Sequence, residues 1–272
     1  MTTGEGKAAT SPVFTVVERE RVRDHLLERA RADPRIVAAA TIGSLVRGGD
    51  RWSDLDLTFA LARDVAPVDV LPDWTQAMAR ELRAVTLFDL PFRTTIYRVF
   101  LLPGNLQVDL SFTPAADFRA FGPKFHLLWG EAGEPLEMAP PSAPYVFGFG
   151  VHHLVRARFS IERDRGWQAE YWIRSACDQA FSLACLRHGV EPRYARGWDE
   201  LPLETKRRFE PGLVRSLDRG ELLRALSAAI ELLLGESHDA RELAAPLEDQ
   251  LRALVSPDWP ADSVGSPAAS QP

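Results

Sequence analysis

The sequence predicts an α/β domain built on a small mixed sheet with helices, followed by an all-α helical bundle. Three observations predict it. Apolar and polar residues alternate with period two in the first half, most clearly over residues 54–61 (DLDLTFAL). A Pro-rich stretch at 131–144 (EAGEPLEMAPPSAP) interrupts the chain near its middle. Beyond it, apolar residues recur at helical spacing up to Leu254. A length of 272 residues suits about two domains, expected over 13–135 and 136–255. The small, polar ends, 1–12 and 256–272, hold too little apolar surface to offset ordering and are expected to be disordered.

The elements follow in order. Residues 14–31 space Val17, Val22, Leu26 and Leu27 among charges as an amphipathic helix, which Asp33-Pro34 closes. Residues 36–42 (IVAAATI) are a short apolar run of buried-strand length ending at Gly43, and 54–61 is the next strand. Residues 73–85 suit a helix with Asp73 as N-cap after Pro72. The β-branched and aromatic runs 94–102 and 106–112 flank Pro103-Gly104-Asn105, a three-residue hairpin signal. In the second half, 166–187, 203–217, 221–234 and 240–254 read as helices.

Composition narrows the function classes. With 46% hydrophobic and 26% charged residues the chain is globular, and its net charge of −6 argues against a nucleic-acid or anionic-membrane partner. The amino terminus lacks the apolar core of a signal peptide and no run of about 20 apolar residues occurs, so the expected location is the cytoplasm. Cys177 and Cys185 lie eight residues apart on one helix, roughly 12 Å at 1.5 Å rise per residue, too far for a disulfide.

The chemistry concentrates in residues 43–57, GSLVRGGDRWSDLDL. Residues two apart on a strand share a face, so Asp54 and Asp56 project together while Leu55 and Leu57 enter the core. Paired carboxylates repel unless a cation lies between them, and all-oxygen ligation beside a phosphate suits Mg²⁺. Upstream, Gly43-Ser44 ends an apolar strand in a turn that can approach phosphate oxygens closely. Gly43 and Gly48 have P-loop spacing, but Gly49-Asp50 stands where Lys-Ser/Thr is required. In LQVDL (106–110) the alternation presents a third acid, Asp109, opposite buried Leu106, Val108 and Leu110. It would bind a second metal or take the proton of an attacking hydroxyl.

Gly-Ser, a gap, then Ser-Asp-x-Asp-Leu, with a later strand carboxylate, resembles the DNA polymerase β-type nucleotidyltransferase superfamily over residues 36–112. The helical half resembles, in layout, the carboxy-terminal domain of antibiotic adenylyltransferases of the aminoglycoside-modifying kind. The resemblance implies transfer of AMP from ATP to a hydroxyl of a small molecule, possible acceptors including aminoglycosides and related antibiotics, with pyrophosphate leaving. It places Gly43, Ser44, Arg47 and Ser53 on the nucleotide, Asp54, Asp56 and Asp109 on Mg²⁺ (two ions), and Asp109 also as base. Glu170, in the 170/174/178 stripe of the long helix, becomes a candidate helper base. Two other readings share these residues: a transferase whose acceptor is a toxin protein, and a catalytically idle, nucleotide-binding regulator. The pair His152-His153 has no third ligand at suitable spacing and reads as packing or solvated.

Overall fold

The computed structural model describes residues 13–47, 49–122, 124–136 and 139–259, with Arg47 as backbone only. The ends expected to be disordered fall largely outside this range, as do Gly48 and the Arg47 side chain. The chain divides into two compact units, Met1–Met138 and Ala139–Pro272.

The first unit is a six-stranded mixed sheet with two helices. Helix α1 (Val16–Ala32) starts at a capping box in which the Thr15 hydroxyl accepts from the Glu18 N–H and Glu18 accepts from the Thr15 N–H. Strand β1 spans Ile36–Ile42 and β2 spans Leu55–Leu61, joined by a 3-10 turn at Gly43–Arg47 and a loop. Helix α2 (Pro67–Leu82) leads to β3 (Val85–Phe92), β4 (Thr95–Leu102), β5 (Leu106–Pro114) and β6 (Phe125–Trp129). The sheet order is β3-β4-β5-β2-β1-β6. Among the strands of the described residues only β2 and β5 pair in parallel, the other neighbouring strands pairing antiparallel.

One face of this sheet is the core. Leu55, Leu57, Phe59 and Leu61 of β2 join Leu106, Val108, Leu110 and Phe112 of β5 under α1 and α2. Rings of Phe59, Trp74 and Phe112 meet with centroids 5.2–5.6 Å apart, the spacing at which aromatic contacts add to simple burial. The period-two pattern therefore sends the alternate residues, Asp54, Asp56 and Asp109 among them, to the opposite face.

Some elements depart from the sequence reading. Helix α2 begins at Pro67, six residues before the expected Asp73, and carries Pro72 inside it. Pro67 occupies the first turn, where a missing N–H is harmless, and the Asp69 carboxylate accepts from the Ala66 N–H. Packing of Val70, Leu71, Trp74, Ala77 and Met78 offsets what Pro72 disrupts. Arg83 then ends the helix in the left-handed region, and Val85 starts a strand instead of completing the helix. The alternation assigned no strand to β3 or β6.

The second unit packs α3 (Ala143–Glu162), α4 (Gly166–His188), α5 (Leu203–Phe209) and α6 (Arg219–Gly235) with the short α7 (Arg241–Ala244) and α8 (Glu248–Ala253). The helix expected over 203–217 stops at Phe209 because Pro211-Gly212 follows. The one expected over 240–254 is broken at Ala245–Leu247, where Pro246 falls. Residues 256–259 of the expected tail are placed, with Trp259 under the Arg158 guanidinium at 4.7 Å. Cys177 and Cys185 are free and buried.

Candidate active site

Cross-strand register builds the site. Asp56 of β2 pairs with Asp109 of β5 across the parallel seam, so their α-carbons lie about 4.8 Å apart in neighbouring strands. Asp54 stands two residues before Asp56, at the residue before β2 begins. Like charges in register destabilise a sheet, and Asp109 is in addition buried. Its carboxyl is pushed up to about 6, mainly by burial and further by the Asp54 charge, while a hydrogen bond donated by Gln107 Nε2 at 3.1 Å pulls it down. A group with that pKa can exchange a proton near neutral pH.

Gly43 is required by space. Its φ is +78°, and a β-carbon there would sit 2.1 Å from Asp56 Oδ2. The Asp56 carboxylate thus rests against the bare α-carbon that ends β1. The Gly43 N–H donates to the Lys124 carbonyl at 3.1 Å, so what this residue offers the site is room, not a free amide. Ser44, next in the 3-10 turn, is exposed.

Ser53 is 8% exposed and spent on the loop itself. Its Oγ accepts from the Asp50 N–H at 3.0 Å and donates to Asp50 Oδ1 at 3.2 Å. The loop is fastened from outside by Arg19 of α1, a guanidinium only 3% exposed, whose Nη1 donates to the carbonyls of Asp50 at 2.7 Å and Ser53 at 3.0 Å. Arg19 therefore positions the entry to Asp54, a role that a charge on an amphipathic helix does not advertise in sequence.

Tyr97 of β4, like Gln107, is a further residue that sequence reasoning missed. It pairs with Ser111, one pleat along from the Val99–Asp109 pair, and so shares the carboxylate face. Burial, and after it the Asp56 charge, hold its phenol above the usual tyrosine range, so it remains an O–H donor. The structure thus brings Gly43, Asp54, Asp56 and Asp109 to one end of the β2–β5 seam and adds Gln107 and Tyr97.

A cavity of about 480 Å³ lies between α1, β1, β6 and the Gly43 turn, bordered by Glu20, Arg23, Asp24, Thr41 and His126. None of the three aspartates lines it, so concavity alone does not mark the chemistry. Among the described residues no three or more His, Cys, Asp or Glu side chains, Asp54, Asp56 and Asp109 included, converge closely enough to hold a metal ion as they stand.

Glu170 lies on α4 in the second unit. In its stripe, Arg174 Nε pairs with Asp178 Oδ1 at 2.9 Å and the guanidinium lies 5.4 Å from the Trp198 ring. His153 packs against Trp172 at 5.3 Å and its imidazole is held below the usual range, chiefly by burial. Both histidines are thus packing groups in an aromatic cluster.

A six-stranded mixed sheet with an acidic parallel seam behind a glycine turn, followed by a separate helical unit, makes this an α/β domain with an appended all-α domain. The chain is similar along 87% of its length to the crystal structure of an aminoglycoside 6-adenyltransferase from Bacillus subtilis, covering 98% of that chain at 10% identity and a TM-score of 0.38. No family model and no curated protein matches the sequence.

Proposed function

We propose that the chain is a Mg²⁺-dependent nucleotidyltransferase that moves AMP from ATP to a hydroxyl of a small molecule, aminoglycoside-type antibiotics being one acceptor class to test. The observation that carries the reading is the pairing of Asp56 with Asp109 across β2 and β5, with Asp56 seated on Gly43. The carboxylate chemistry suits the ion, which would need the three side chains to turn toward one point. Hard carboxylate oxygens that leave coordination positions open are what Mg²⁺ uses when it shares its shell with water and substrate phosphate. Asp54, Asp56 and Asp109 would hold it, and it would neutralise charge on the attacking and leaving oxygens.

The chain's own residues supply positioning and proton transfer. Asp109 accepts the proton of the acceptor hydroxyl as the new oxygen–phosphorus bond forms and the bond to pyrophosphate breaks. The Gly43–Ser44 turn keeps the phosphates beside β1, with the Ser44 hydroxyl as a donor. Arg19 fixes the loop that delivers Asp54. Glu170 is retained as a helper base, to be tested by Glu170→Gln.

Calorimetry with ATP and Mg²⁺, and transfer of label from α-labelled ATP to a panel of hydroxyl compounds, test the reading. Asp56→Asn should abolish transfer and weaken Mg²⁺-dependent binding at least tenfold. Equal transfer by the variant would sink the assignment, and tight binding with no transfer to any acceptor would favour the regulatory reading.

A further inference from the structure

The carboxylate face continues past Asp109 to the sheet edge, and its chemistry changes on the way. Register gives three rows: Asp56–Asp109–Val99–Phe88, Thr58–Ser111–Tyr97–Leu90 and Ala60–Thr113–Thr95–Phe92. Residues paired across a sheet share a face, so Phe88, Leu90 and Phe92 of β3 stand beside Val99, Tyr97 and Thr95, on the side that carries the acids. The three β3 side chains are 50%, 54% and 38% exposed, unusual for large apolar groups in a row. The one acid of β3, Asp89, faces away. It pairs with Arg98 through two contacts of 2.6 Å, and Arg98 reaches Leu71 and Thr75 of α2 on the core side. Beyond Asp109 the rows therefore hold no carboxylate to balance an amine.

We propose that Phe88 and Leu90, with the half-buried Tyr97 at their inner end and Val99 buried beneath, form the acceptor floor of the site, and that the acceptor is an uncharged hydroxyl compound with a planar or extended apolar body. This deepens the transferase reading and rests on it. In-line displacement puts the attacking oxygen opposite the leaving pyrophosphate. With the phosphates on the β1 side of the seam, the acceptor comes in over β4 and β3. Two strand spacings separate Asp109 from Phe88, about 10 Å, a span that fused rings or a macrocycle fill. A polycationic acceptor would leave its ammonium groups over apolar side chains with no counter-charge.

The edge itself argues against a further strand as the occupant. Pro91 lacks an N–H, and the β3–β4 ladder is bulged between Thr86 and Phe88, both devices that discourage edge pairing.

The test uses the full chain, the neutral probe N-phenyl-1-naphthylamine, and the double substitution Phe88→Ser/Leu90→Ser, at exposed positions outside the core. Probe binding should weaken at least tenfold in the variant, while the Kd for ATP with Mg²⁺ stays within twofold. Label transfer should favour 1-naphthol and estradiol over kanamycin, with KM for the neutral acceptors at least tenfold higher in the variant. Equal probe binding by the two chains would overturn the proposal. So would preferred labelling of kanamycin at a rate the substitutions leave alone, or a dimer that the substitutions split, which would assign the patch to a second copy. Should the parent chain bind no ATP with Mg²⁺, the transferase reading fails separately, and the probe comparison still decides whether this surface takes apolar ligands.

Discussion

Replacing Asp109 with asparagine should stabilise the protein at neutral pH while abolishing transfer. The Asp109 carboxyl is raised from 3.8 to about 6, first by burial and then by Asp54. Below about pH 3 it is protonated both folded and unfolded, and at pH 4, just above the unfolded value of 3.8, the difference is still only a few tenths of a kcal/mol. Between pH 4 and 6 the unfolded chain ionises while the folded chain holds its proton, so stability falls as pH rises and stays reduced above 6. Two pKa units correspond to roughly 3 kcal/mol, and solvent access to this partly buried group reduces that to about 1.5 kcal/mol. Asparagine keeps the shape without the charge. Thermal melts by circular dichroism, without divalent ions, should then place Asp109→Asn about 5 °C above the parent at pH 7.5 and nearly level with it at pH 4. The difference between the two chains is the quantity to read. Carboxylates held below their usual range, such as Asp33 beside Arg35 and Asp89 beside Arg98, destabilise both equally on acidification. A gap that is absent at pH 7.5, or larger at pH 4, would refute the reasoning. Mg²⁺ should raise the parent's melting point at pH 7.5 more than the variant's.

Substitutions at Gly43 and Arg19 test the frame around the acids, and one at Arg187 tests the second unit. Gly43→Ala puts a β-carbon on Asp56 Oδ2 at a φ of +78°, and should cost about 2–3 kcal/mol and all ion-dependent ATP binding, read by denaturant melts and calorimetry. Arg19→Ala strands two loop carbonyls; expect about 2–3 kcal/mol of destabilisation and a raised KM for ATP, with Arg19→Lys restoring part of each. In the second unit, Glu236 is buried between Arg187, at 2.8 Å, and Arg208, at 3.3 Å. Arg187→Ala should therefore lower the stability of that unit by about 2–3 kcal/mol, and Arg187→Ala/Glu236→Gln should recover part of the loss.

Strand β1 is legible as a short apolar run of buried-strand length, and β2 and β5 by alternating apolar and polar residues, the same alternation that puts three aspartates on one face. Strand β3 was not legible for the converse reason: every residue from Val85 to Phe92 is exposed, so neither face selects a pattern. Pro72 misdirected the start of α2 because a proline that opens a helix and one tolerated inside it look alike without the packing that holds the second. The parallel register joining Asp56 to Asp109 is set by long-range pairing, and no local signal carries it. Gln107 and Tyr97 acquire their places from that same register. Arg19 looked like one more charge on a solvated helix face, because only the folded loop supplies the carbonyls it binds.

The parallel seam also divides the sheet by folding order. Strands β3, β4 and β5 form a meander closed by short turns, and β1 and β2 pair across a modest loop, so both pieces rest on contacts close in sequence. Joining them along β2 and β5 closes about fifty residues at once and must bring two carboxylates together, the slow kind of contact. Until that happens, each piece has an open edge at the strand that will carry an aspartate. The pairing of β2 with β5 therefore brings Asp109 to a piece that already holds Gly43, Asp54 and Asp56, and the candidate site is whole only once those two strands meet.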